Sequence, residues 1–194
     1  ADEESETEAE VQENVSLLKF AGKYKKFIVF LLGFVLVYFA HTIINNFFIQ
    51  IITNVGGNSS DMGNAVFLAY FTKLSQKVNC GTLIKASIVL FLAKHAITYL
   101  ATNMIMIYIA QVLQMGAYAL FIPASVYYVN CKVDNKDIVK GQSFVTTSMT
   151  MSGVFANIIG GILLDAVGVS EVLLIGVILS LIGAVIVLFT VEKV

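Results

Sequence analysis

The chain has 194 residues, 58% of them hydrophobic and 13% charged, with a mean hydropathy of +0.85, where a soluble domain carries about 25% charged residues. That balance excludes an ordinary soluble domain and predicts an all-α, polytopic membrane helix bundle. Arginine is absent, so all positive side chains are lysines, which rules out bidentate guanidinium clamps within this chain and leaves nucleic-acid binding without support.

Seven acids fall among the first thirteen residues, and the net charge of −1 hides that asymmetry. Ala1 to Ser16 reads as an acidic, disordered segment too polar to bury anything. Lys19, Lys23, Lys25 and Lys26 follow it, and such a cluster before an apolar run marks the cytoplasmic side of a membrane. Residues 1–26 are therefore expected to form an acidic then basic cytoplasmic tail or linker, and 27–194 the membrane bundle.

Phe27 to Ile52 is the first predicted span, and it carries Tyr38, His41, Thr42, Asn45, Asn46 and Gln50 on about half its circumference. Thr53 to Asp61 has turn chemistry and no lysine, and should face outward. Met62 to Phe71 is too short to span, since about ten helical residues cover only ~15 Å. Lys73 and Lys77 nevertheless require the chain to be back inside before the next span.

Thr82 to Asn103 is an apolar run with Lys94 and His95 near its middle. Lys94 lies ~18 Å from the start of the run, close to the bilayer centre. An ionisable group at that depth costs roughly 3 kcal/mol and is normally kept inside the bundle for a pathway or a partner. Ser87, Phe91, Lys94 and Thr98 share one helical stripe, which should face a cavity. His95 points ~100° away from Lys94, and is as well explained by a packed, hydrogen-bonded histidine as by a site.

Met104 to Val129 forms a tight outward hairpin with that run and bears Tyr108, Gln111, Gln114, Tyr118 and Ser125 along one side, with Pro123 late in the helix. Cys131 to Lys140 is a short basic loop and belongs inside. Gly141 to Leu164 and Val169 to Val191 complete about six spans. Gly153, Ala156, Gly160 and Gly161, and later Gly176, Ser180 and Ala184, allow close helix packing. Because the lysines mark one set of loops, both termini should be cytoplasmic, with Asn58 and Val167 outside.

His41 lies ~21 Å from the inner end of its span, and Gln111 and Gln114 lie ~10 to 15 Å below the outer end of theirs. With Lys94 they fall in one slab near the midplane, which favours a solvated cavity over buried polar glue. Asn45, Gln111, Gln114 and Tyr118 are the candidate hydrogen-bonders of a small polar solute, and His41 and Lys94 the charge-balancing or proton-coupling groups. Cys80 and Cys131 have no metal-ligand spacing. No catalytic, phosphate-binding or metal motif occurs, so neither an enzyme nor a cofactor or metal is implied.

Gln111 to Asn130 (QVLQMGAYALFIPASVYYVN), Lys140 to Ser143 (KGQS) and Gly160 to Gly168 (GGILLDAVG) resemble the carboxy-terminal half of a major facilitator superfamily transporter, in the sugar and nucleoside proton symporter branch. The resemblance implies one half of a twelve-helix transporter whose substrate site lies between two six-helix halves at the midplane. It implies protons and a small polar solute as partners, a location in the cell (cytoplasmic) membrane, and an amino-terminal six-helix half that this sequence lacks. The short segment after Ala69 then reads as a truncated eighth helix, without the carboxylate expected to face Lys94. Two alternatives are a substrate-binding membrane subunit that works with separate energising proteins, and a non-transporting remnant.

Overall fold

A computed structural model describes residues 17–58 and 79–193. Among these, the fold is helical throughout and contains no strand. The helices are α1 (Lys25–Asn46), α2 (Phe48–Asn54), α3 (Cys80–Tyr99), α4 (Met104–Lys132), α5 (Ile138–Val167) and α6 (Val169–Thr190), with a 3₁₀ turn at Asn135–Asp137 before α5. Five of these helical stretches are long and apolar enough to cross a membrane. The expected short span, Met62 to Phe71, lies outside the described residues, as do Lys73, Lys77 and the expected truncation.

Helix boundaries follow local chemistry. Asn79 starts α3, its side chain accepting from the Thr82 N–H at 3.2 Å, and Asn103 does the same for α4 through the Met106 N–H, also at 3.2 Å. Such caps satisfy amide donors that a helix start leaves open. The run expected to continue to Asn103 stops instead at Tyr99, because residues 100–103 make the hairpin. A single residue, Gly168 at φ +91°, joins α5 to α6, and only glycine adopts that conformation without strain.

The first expected span, Phe27 to Ile52, is not one helix. It breaks at Phe47, whose φ of −101° and ψ of 23° separate α1 from α2. Residues 17–23, read from sequence as part of the tail, are helical, and Phe20 is buried against the bundle with its ring stacked on Phe144 at 5.0 Å.

Packing makes α1 the central element, laid along α6 on one side and α5 on the other, while α3 lies along α4 and also touches α6. Helices α1 and α6 approach closely at Gly33 and Gly183. A Cβ on Gly183 would lie 2.4 Å from the Gly33 carbonyl oxygen, and one on Gly33 would lie 2.9 Å from that of Gly183. Of the small residues marked in the sequence, Ala156 is buried, and a Cβ on Gly160 would meet Ile43 and Phe47 at 3.0 Å, whereas one on Gly153 would meet nothing within 4 Å. Packing thus uses only part of that stripe.

The half of the core toward the start of α1 and the end of α4 is aromatic. Phe34 and Phe121 stack face to face at 4.2 Å between centroids with planes 8° apart, and Phe30 meets Tyr128 edge-on at 5.5 Å. Below them, the helix ends are tied by ions. Lys26 at the start of α1 and Lys132 at the end of α4 both donate to the carboxylate of Glu192, just past α6. Lys132 first and Lys26 second hold that carboxyl well below the usual glutamate range, at about 2. Lys23 reaches Asp134 at 2.5 Å and Asp137 at 3.2 Å, and Asp134 raises the lysine's affinity for its proton above the ordinary value.

The two glycine environments predict opposite outcomes. Gly183→Val should lower the stability of the purified protein by about 1–3 kcal/mol through overpacking, seen as a fall in melting temperature in detergent. Gly153→Ala should leave melting unchanged or raise it slightly, since it meets open space.

Candidate functional site

The site is assembled by α1, α3 and α4 at the middle of the bundle. On α3 the stripe Ser87, Phe91, Lys94 and Thr98 is entirely buried. Ser87 Oγ donates to the Ala117 carbonyl of α4 at 2.8 Å, which fixes the register of the α3–α4 pair. Thr98 Oγ1 donates to the Lys94 carbonyl at 2.8 Å. Lys94 itself is 0% exposed, and its Nζ reaches His41 Nδ1 on α1 at 3.1 Å and Asn45 Oδ1 at 3.5 Å. His41 and Asn45 are four residues apart and therefore stacked on one face of α1.

The other ring nitrogen of His41 is shared. Its Nε2 lies 2.7 Å from Asn45 Nδ2 and 2.7 Å from the Tyr118 hydroxyl of α4. Tyr118 in turn lies 3.0 Å from the hydroxyl of Tyr38, one turn below His41 on α1. Phe91 packs edge-on against both His41 and Tyr118, at 5.2 and 5.3 Å, and seals the flank of the cluster with hydrocarbon. Among the described residues no carboxylate lies on a helix at this depth: the acids sit in loops or at helix ends.

Four of the six residues singled out in the sequence, His41, Asn45, Lys94 and Tyr118, are thus in direct contact. The two glutamines are not. Gln111 and Gln114 stand on the same face of α4 as Tyr118, toward its Met104 end, but among the described residues neither hydrogen-bonds to the cluster. Each keeps a buried side-chain atom without a partner among the described residues, Nε2 in Gln111 and Oε1 in Gln114. The expectation that Lys94, His41 and Gln114 line one open cavity is therefore revised: Lys94 and His41 close on one another, and the cluster reaches the surface through Asn45, which is exposed. Direct contact between two polar groups replaces the water each would otherwise need.

His95 is turned from Lys94 toward α6. It is 0% exposed, and its Nδ1 lies 2.7 Å from Ser180 Oγ of α6 while Nε2 has no partner among the described residues. Tyr38 is the participant that sequence reasoning placed on the polar face without giving it a role. Its spacing of three from His41 was the available signal. A second polar contact, Asn46 Nδ2 to Asn157 Oδ1 at 2.7 Å, joins α1 to α5 at the exposed surface.

Chemically the cluster is a hydrogen-bonded chain that can hold and shift a proton, with an exposed amide at one end. Because His41 is a direct partner of the buried amine, His41→Phe should destabilise the protein by about 1–3 kcal/mol, the cost of stranding a buried polar group. Lys94→Met should cost less, since an unpaired charge disappears with it. In the Lys94→Met background the His41→Phe change should become milder by about 1 kcal/mol. Additive effects in a thermal-unfolding cycle would contradict the contact.

Comparison with known proteins agrees with this architecture. The family model of the Major Facilitator Superfamily matches residues 27–194. No curated protein and no solved structure matches the chain significantly. The match covers all five membrane-spanning stretches and the cluster between them, in a family of secondary transporters that move small solutes across membranes. The chain is a multi-pass membrane protein and belongs to the Major Facilitator Superfamily.

Proposed function

We propose that this chain supplies one wall of a proton-coupled transport path for a small polar solute of the sugar or nucleoside class. In this reading Asn45, Gln111, Gln114 and Tyr118 hydrogen-bond the solute, and His41 and Lys94 carry the coupling proton or balance its charge. The observation that supports it most is the buried Lys94 amine, held by a histidine and an amide rather than a carboxylate. A merely structural lysine has no need of that costly position. The unpartnered amide atoms of Gln111 and Gln114 add a donor and an acceptor, the complement of a polyhydroxylated or heterocyclic solute.

The opposite wall is an amino-terminal six-helix half. Helix α5 supports this, because most of its surface has no partner among the described residues. Ser143, Thr146, Thr150 and Asn157 are exposed along it at helical spacing, and polar groups facing bare hydrocarbon are unfavourable. Residues 1–26 would then connect the two halves on the cytoplasmic side of the cell membrane.

Uptake tests the function. With an amino-terminal half supplied in the same vesicles, an imposed proton gradient should drive accumulation of a radiolabelled sugar or nucleoside from a panel. Lys94→Met should reduce that accumulation roughly tenfold or more, the effect of losing an interaction worth about 1.4 kcal/mol. Undiminished accumulation by the variant would overturn the role of Lys94. Full proton-driven uptake by this chain alone would overturn the half-transporter reading.

Orientation is tested separately. With lysines concentrated at one end of the bundle, an impermeant thiol reagent added outside intact cells should label a single cysteine placed at position 58 and spare one at 136. The reverse pattern would invert the topology.

A further inference from the structure

His41 has more partners than one arrangement of hydrogens can serve. Its Nδ1 faces Lys94 Nζ, and its Nε2 faces both Asn45 Nδ2 and the Tyr118 hydroxyl. A neutral imidazole has a hydrogen on one nitrogen and a lone pair on the other, so Nε2 either accepts or donates. We infer that the proton on Lys94 decides which, and thereby whether the Asn45 amide is held on His41 or released toward a solute. The inference rests on the transport reading above and adds to it the means by which one proton changes the solute-facing surface.

Without the extra proton, Lys94 is an amine with a lone pair. That lone pair accepts the Nδ1–H of His41, which leaves Nε2 bare. Nε2 then accepts an N–H from Asn45 at 2.7 Å, and Lys94 donates to Asn45 Oδ1 at 3.5 Å. Both ends of the amide are engaged inside the cluster.

With the proton, Lys94 is an ammonium that has only donors. It donates to His41 Nδ1, so the ring hydrogen sits on Nε2 and points at the Tyr118 oxygen, whose own hydrogen goes to Tyr38 at 3.0 Å. Asn45 Nδ2 now confronts an N–H at 2.7 Å, a contact between two donors, and must swing away. Asn45 is exposed, so its amide swings toward the surface and becomes available.

The exchange balances atom by atom. A proton arriving along the hydroxyls bonds to Nε2, the Nδ1–H bond breaks, and that hydrogen bonds to Lys94 Nζ. The ring is neutral before and after, and the gained charge resides on Lys94. Among the described residues, the other titratable groups around the ring are Tyr38 on α1, Tyr118 on α4 and His95 on α3. The His95 ring is 6.4 Å from that of His41, with its Nδ1 turned to Ser180 of α6. Helix α6 contributes no titratable group here, and α5 has its titratable residues at its ends.

Nitrogen NMR on the full chain in bilayers, with ¹⁵N-labelled histidine over a pH series, tests this without any solute. A His95→Gln variant assigns the two rings. In the wild type, the protonated and bare signals of His41 should change places between Nδ1 and Nε2, with the ring neutral, and the Asn45 side-chain amide signal should move in step. In Lys94→Met the interchange should be lost. Lys94→Arg, which stays charged, should hold His41 in the Nε2–H form throughout, and serves if the methionine variant does not fold. A His41 tautomer that never changes in the wild type, or an interchange that survives in Lys94→Met, overturns the inference. Because the readout needs no flux, its failure leaves the uptake experiment to judge the transport reading by itself.

Discussion

The contact between Lys94 and His41 sets the terms for the rest of the bundle. A lysine near the bilayer centre costs roughly 3 kcal/mol to insert, and among the described residues no acid at its depth offsets that cost. The compensation is a histidine and an asparagine one turn apart on α1. Yet α1 and α3 are not a main packing pair, since α1 lies chiefly on α6 and α5, and α3 chiefly on α4. The polar contact crosses between two packed layers, so the depth and rotation of both must agree for it to form. The Gly33–Gly183 approach and the Ser87–Ala117 hydrogen bond supply that agreement, the first by fixing how closely α1 meets α6 and the second by setting α3 against α4.

Much of this could be read from residues alone, because membrane helices are governed by length, polarity and period. The starts of α4 at Met104 and α6 at Val169 coincide with the expected ones, since an asparagine cap and a lone glycine mark them. The buried stripe through Ser87, Phe91, Lys94 and Thr98 follows from helical spacing, and so does the grouping of His41 with Asn45. What period cannot supply is rotation between helices. Gln111 and Gln114 share the face of Tyr118, but a shared face does not say which side chains touch. The break at Phe47 had no glycine or proline to announce it. The Gly33–Gly183 contact was illegible because the two glycines lie 150 residues apart. Within the described part of the chain, then, the sequence carried the elements and the chemistry but not their convergence.

The two ends of the bundle are built differently. At one end, Glu192 gathers the start of α1, the end of α4 and the tail of α6 onto one carboxylate, and Lys23 fastens the preceding helical turn to the α4–α5 connection. Ion pairs this exposed contribute little stability singly. Their effect is geometric, since three helices that share one carboxylate cannot separate there without losing it. Toward the other end, polarity is spent on side chains that face a site or the surface: Asn45, Asn46, Gln111, Gln114 and Asn157.

The stacked rings of Phe34 and Phe121 acquire a meaning from where the hydroxyl chain stops. Tyr38 is its lowest member, and Phe34 packs against it at 5.4 Å, with Phe121 flat upon Phe34. Aromatic carbon offers neither a lone pair nor an exchangeable hydrogen, so a proton that reached Tyr38 would be insulated from the Glu192 end of the bundle by the two stacked rings. In a membrane that stores a proton gradient, such insulation prevents a leak. It also means that any charge delivered to Tyr38 stays on its own side until those rings part and water follows.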